Sequence, residues 1–187
     1  EATAVAARCL STNNGYIFTR SIETAVAALQ SGRCVRLDGD RAKWGAAEAI
    51  RLAAAIEQGH CKRLRMLNLH HNNIGSCGAE HLAAAFVAGH CPKLAVLRLN
   101  YNYLGSEGAD FIAGAIASGA CPSLKTLNLA FCGIGNQGAE AIAVALESGF
   151  SPKLTEVALT GNPVSGELFL RVGRAKDPQN LAVAAAT

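Results

Sequence analysis

The chain has 187 residues, 50% hydrophobic and 17% charged, with a formal net charge of +3. This is enough apolar material for one well-buried domain, but too little net charge to argue by itself for a nucleic-acid partner. The low charged fraction leaves outward surface for another protein to cover, and without a run of about 18 uncharged apolar residues no segment is expected to span a bilayer.

Residues 1–20 are predicted to form a helix and a loop around Asn13–Gly15, capping the open end of a core. Ile22–Leu29 reads as a helix, and Gly32 and Cys34 lead into a short strand at Val35–Leu37. The loop Asp38–Lys43 carries no asparagine and ends at Trp44; a helix over Ala46–Ile56 completes a degenerate first repeat. Three segments in strict register follow: LRMLNLHHNNIGSCGAEHLAAAF from Leu64, LAVLRLNYNYLGSEGADFIAGAI from Leu94 and LKTLNLAFCGIGNQGAEAIAVAL from Leu124. A fourth, LTEVALTGNPV, starts on time at Leu154 and departs from the pattern at Pro163. Glu167–Val172 reads as a short terminal helix, followed by a polar turn at Lys176–Asn180 and an alanine-rich tail, Leu181–Thr187. The expected division is a helical cap over 1–32, repeats over 33–164 (33–60 degenerate, 61–90, 91–120, 121–150, 151–164 partial) and a terminal cap over 165–187.

A constant period without insertions means that every unit stacks on its neighbour in the same way, which defines a solenoid. Within a unit, alternation around Leu67 and Leu69 has the period of a strand. Asn72 and Asn102 sit where a side-chain amide can satisfy backbone groups of the loop leaving that strand, and Cys132 replaces them in the third unit. Gly75, Gly105 and Gly135 are predicted to take positive φ, with Ser76, Ser106 and Asn136 as helix N-caps. The inward helix stripe is Ala79, Leu82, Ala85 and Phe86, repeated as Ala109, Ile112, Ala115, Ile116 and as Ala139, Ile142, Ala145, Leu146. Gly89, Gly119 and Gly149 end the helices, and Pro92, Pro122 and Pro152 stop their continuation.

The LxxLxL cores, the Asn/Asn/Cys position and the GxxGA stretches at Gly75–Ala79, Gly105–Ala109 and Gly135–Ala139 resemble the ribonuclease-inhibitor-like branch of the leucine-rich repeat superfamily. The fold so indicated is a right-handed α/β solenoid of about five coils, with parallel strands on the concave face and helices on the convex face. The resemblance also implies protein binding.

Outward strand positions form columns: Met66, Val96, Thr126 and Glu156; Asn68, Arg98, Asn128 and Ala158; His70, Asn100, Ala130 and Thr160; His71, Tyr101, Phe131 and Gly161. The last places three rings in a row at the strand exit, and aromatic anchors concentrate at interfaces. The predicted partner-binding set is Arg65, Met66, Asn68, His70, His71, Val96, Arg98, Asn100, Tyr101, Thr126, Asn128 and Phe131, the bland alternative being rings that pad the loop. The reading is a non-enzymatic interaction module, an adaptor or a subunit of a larger assembly, with no cofactor and no small-molecule substrate. An enzyme regulator (an inhibitor or a Ran-type GTPase activator) is the runner-up. An RNA surface is third, on the early basic residues Arg33, Arg36, Arg41, Lys43, Arg51, Lys62, Arg63 and Arg65.

The three glycine pairs before helices lack a Walker lysine and the dinucleotide fingerprint, and no G-x-S-x-G elbow is present. Metal binding at His70–His71 is weighed and set aside, because adjacent side chains on a strand diverge and no zinc spacing accompanies them. Four of the seven cysteines recur in G-x-C turns (Cys34, Cys61, Cys91, Cys121). They read as buried reduced thiols of an intracellular protein. Cytoplasmic residence is expected, with an organelle as the alternative if a targeting peptide preceded Glu1.

Overall fold

The computed structural model describes residues 2–5 and 14–175. Strands β1 (Tyr16–Phe18), β2 (Arg36–Asp38), β3 (Met66–Asn68), β4 (Val96–Arg98), β5 (Thr126–Asn128) and β6 (Glu156–Ala158) form one sheet in sequence order. All neighbours pair in parallel. Between them run helices α1 (Ile22–Gln30), α2 (Ala46–Ala55), α3 (Gly75–Val87), α4 (Gly105–Ala117) and α5 (Asn136–Glu147), with α6 (Gly166–Ala175) after β6. Parallel strands stand about 4.8 Å apart and packed helices about 8–10 Å, so the stack curves with the sheet inside.

Register is fixed by the apolar column. Leu37, Leu67, Leu97, Leu127 and Val157 are partners across successive strands, all buried. The inward helix stripes are buried as their spacing predicts, from Ala79 through Leu146. Each buried leucine contributes about 1.5–3 kcal/mol of transfer free energy, which one coil alone could not set against its ordering entropy.

Five local expectations are corrected. Residues 16–18 form a strand where a helix and loop were expected, so the sheet gains a coil. That coil is short, with only 20 positions from Ile17 to its partner Leu37, which hides it from a 30-residue search. Gly135 has φ −88°, an extended conformation; Gly133 takes the positive φ of 71° in that loop, whereas Gly75 and Gly105 follow the prediction at 66° and 64°. Ser76 and Ser106 lie inside the first helical turn, because α3 and α4 already begin at Gly75 and Gly105. Ser106 Oγ instead accepts from Gly135 N–H at 3.0 Å, and Asn136 Oδ1 from Ser165 N–H at 2.8 Å, so both side chains tie one coil to the next.

The second glycine of each GxxGA stretch also does more than turn the chain. A Cβ on Gly78 would stand 2.9 Å from Ala49 Cβ, and one on Gly138 2.8 Å from the Ser106 Cα. These glycines let neighbouring helices touch. Residues 2–5 are helical. The rest of the proposed N-terminal cap through Asn13, the turn at Lys176–Asn180 and the tail lie outside the described residues.

Candidate functional site

The strand-exit rim is built by a recurring conformation. From the second coil on, the same position of each exit loop takes a left-handed backbone: Arg41 (φ 51°), His71 (52°), Tyr101 (58°), Phe131 (54°) and Gly161 (74°). For a non-glycine residue this costs about 1–2 kcal/mol, so something must hold it. The holder is the asparagine that follows. Asn102 Nδ2 donates to the carbonyls of Leu69 (2.7 Å), Leu99 (2.9 Å) and Asn100 (3.3 Å), while its Oδ1 accepts from Ile74 N–H at 3.2 Å. Asn72 repeats this towards Gly39, Leu69 and His70, and accepts from Trp44 N–H. Cys132 substitutes with its thiol on the Leu99 carbonyl at 3.1 Å. The ladder continues at Asn162, which donates to the Leu129 and Leu159 carbonyls and accepts from Cys132 and Ile134 N–H. The last repeat therefore keeps the ladder despite Pro163.

On this frame the rings stack. His71 and Tyr101 lie with centroids 4.1 Å apart and planes 10° from parallel; Tyr101 and Phe131 follow at 4.5 Å and 10°. The Phe131 ring covers Gly161, leaving no room for a Cβ there. Tyr101 remains 36% and Phe131 44% exposed, and Tyr103 beside them is 76% exposed. Together with His71 and Gly133 they border a hollow of about 470 Å³. Tyr103 was missing from the predicted set; its place two residues after Tyr101, in the same exit loop, was the available signal.

On the concave wall, Met66, Val96 and Thr126 form one row, and Asn68, Arg98 and Asn128 the next. A hollow of about 270 Å³ is lined by His70, Val96, Arg98, Asn100, Thr126, Asn128 and Glu156. Arg98 is exposed there, and Thr126 Oγ1 donates to Glu156 Oε2 at 3.0 Å. Asn68 and Asn100 are buried. Asn68 donates to Asp38 Oδ1 at 2.9 Å and accepts from His70 N–H, so it ties β2 to β3 within the wall. Arg65 stands apart from the wall, at the opposite edge.

His70 and His71 do not diverge. The left-handed backbone at His71 folds its ring back, and the two centroids are 4.1 Å apart. Asp40 joins them, with one ligand-capable atom of each residue within 4.8 Å of the others. Burial, then the neighbouring His71, hold the His70 imidazole below its ordinary value.

The opposite, strand-start edge is basic. One hollow is lined by Asn14, Tyr16, Val35, Arg36, Arg63, Arg65 and Lys93, and another by Arg65, Lys93, Ala95, Ser123, Lys125 and Lys153, with no carboxylate in either. The basic residues expected to cluster early thus separate. Arg36, Arg63 and Arg65 join later lysines along this edge, Arg41 and Lys43 follow β2 on the exit side, and Arg51 pairs with Glu23 at 3.2 Å. Cys34, Cys61, Cys91 and Cys121 are buried, free thiols. Burial pushes Cys34 and Cys121 up to about 12, which makes them inert packing groups.

Residues 60–83, 90–113 and 120–143 each match the family model for the leucine-rich repeat. These three consecutive segments are leucine-rich repeats. Among solved structures it is similar to actin-binding site 2 of leiomodin-1, with a TM-score of 0.68 at 13% identity over 88% of this chain and 92% of that one. At that identity the likeness is one of fold. No curated protein matches the chain in sequence. Among the described residues no helix is long and apolar enough to cross a membrane.

Proposed function

We propose that this chain is a non-enzymatic protein-interaction module of the ribonuclease-inhibitor-like type, serving as an adaptor or as a resident subunit of a larger assembly. The partner lies against the concave wall around Arg98 and Asn128 and closes on the strand-exit rim. The observation that carries this reading is the stacked row His71–Tyr101–Phe131, held at fixed spacing with Tyr101 and Phe131 partly exposed. Aromatic groups that are already ordered lose little entropy on binding and anchor interfaces efficiently.

The reading is tested by quantitative affinity capture with the wild-type chain and with Tyr101→Ala/Phe131→Ala. A specific co-purifying chain should be lost from the double variant while its folded signal in circular dichroism is kept; equal recovery would move the site elsewhere. Actin is the first purified partner to assay, on the strength of the leiomodin neighbour's name. An inhibitor or GTPase activator would use the same wall. Asn102 is fully buried in the ladder, so Arg98 is the polar group free for that task, and a GTP-hydrolysis assay separates the two classes.

The carboxylate-free basic edge supports a second reading, RNA binding. It requires a steep fall in affinity with salt, since each neutralised phosphate releases counterions.

A further inference from the structure

We infer that Asp40, His70 and His71 form a site for a zinc-class divalent cation at the strand-exit rim, with two imidazoles and one carboxylate as ligands and one position open.

Three observations converge on this spot. Asp40, His70 and Asn100 occupy the same column in successive coils, and the Arg41 N–H bond to the His70 carbonyl (3.0 Å) holds the first two side by side. His71 is folded back into the group by its left-handed backbone, so residues adjacent in sequence present both rings to one point. Among the described residues, the buried side-chain nitrogen or oxygen atoms without a hydrogen-bond partner are Asp40 Oδ1, His71 Nδ1 and Asn100 Oδ1. All belong to this cluster. A buried acceptor without a partner costs about 1–3 kcal/mol, and a cation would satisfy the first two together.

The surroundings suit the chemistry. Asn100 Nδ2 lies 2.6 Å from His70 Nδ1, and Asn100 Oδ1 lacks a partner. Exchanging the two amide atoms, which leaves the side-chain shape unchanged, lets Oδ1 accept from Nδ1–H. His70 Nε2 then keeps its lone pair, the arrangement that a metal-bound imidazole uses. Two nitrogens and one oxygen suit zinc or cobalt better than calcium or magnesium. Ligands at about 2.0–2.1 Å from zinc stand about 3.3 Å apart, so atoms already within 4.8 Å need only small rotations. Arg41 is the cation nearby and weakens the field at His70. A second cluster among the described residues, Cys77, Glu80 and His81, lies on an outward helix face and is largely exposed; there His81 Nδ1 is already engaged by the Cys77 carbonyl at 2.9 Å.

The test is titration of the chelator-treated full chain with Co²⁺, followed by its visible d–d band, and then displacement by Zn²⁺. One ion per chain should bind. Asp40→Asn and His70→Gln should each weaken binding by at least about 100-fold, and Asn100→Ala by about 10–100-fold. Cys77→Ser/His81→Gln should leave it unchanged. Zn²⁺ should raise the melting temperature of wild type and not of Asp40→Asn, whose metal-free circular dichroism should match wild type. The proposal is overturned by absence of Co²⁺ binding to wild type, by wild-type affinity in both ligand variants, or by loss of binding in the Cys77/His81 variant.

Discussion

At the strand-exit edge the coils of β2–β5 each pass through a left-handed residue and hand a carbonyl to an asparagine or cysteine of the next coil, whereas at the strand-start edge the stack presents lysines and arginines in hollows without a carboxylate. Both edges inherit one 30-residue register, yet one is a bonded ladder and the other a row of solvated charges. The difference locates shape-specific recognition. A partner meeting the exit edge finds rings at fixed spacing; one meeting the start edge finds only a positive field, which steers association and is screened within about 10 Å at 0.1 M salt.

The largest perturbation breaks both edges at once. Leu97→Asp places a charge in the buried column between Leu67 and Leu127, and the cooperative thermal transition should vanish; a native melting curve would remove the stacked core from the account. Next, Asn102→Ala removes one donor from each of three carbonyls, which keep Asn72, Cys132 and the His71 N–H respectively, and leaves the Ile74 N–H without its acceptor. A loss of about 2–4 kcal/mol is expected in urea unfolding, against less than about 0.5 kcal/mol for Lys93→Ala at the start edge. Equal effects would erase the contrast between the edges.

A double-mutant cycle on Tyr101 and Phe131 should give a coupling of about 0.5–1.5 kcal/mol for the stacked pair, and near zero for Lys93 with Lys125. The smallest effect lies outside both edges. Arg171 contacts Glu140 at 2.6 Å and Glu147 at 2.7 Å, docking α6 onto α5. Its hydrogen bonds hold the Glu147 carboxyl below the ordinary 4.5. A depressed carboxyl stabilises the fold above its unfolded value, and that contribution fades as pH falls below about 4.5 through the folded value. With Glu147 39% exposed, Arg171→Ala should change neutral stability by less than about 1 kcal/mol. It should also flatten the acid limb of the stability–pH curve.

The register, the strand and helix layers, and the wall rows were legible in the sequence because three equal spacings demand one geometry. What escaped depended on backbone conformations that leave no periodic trace. The coil at Ile17 is ten residues short of the repeat. The left-handed turn at His71, which pairs its ring with His70, cannot be read from two adjacent histidines. Ser106 looked like a helix cap because N-cap chemistry is local, whereas its hydroxyl serves the next coil. Asn162 stands 30 positions after Cys132 and keeps the ladder position, although Pro163 beside it breaks the repeat pattern.

Amide hydrogen exchange of the chain, free and with its captured partner, tests most directly that the exit rim and concave wall are the working surface. Protection should rise at residues 70–72, 100–103 and 130–133 and stay level at 62–65 and 92–95. New protection confined to the strand-start segments, with an unchanged exit rim, would contradict it.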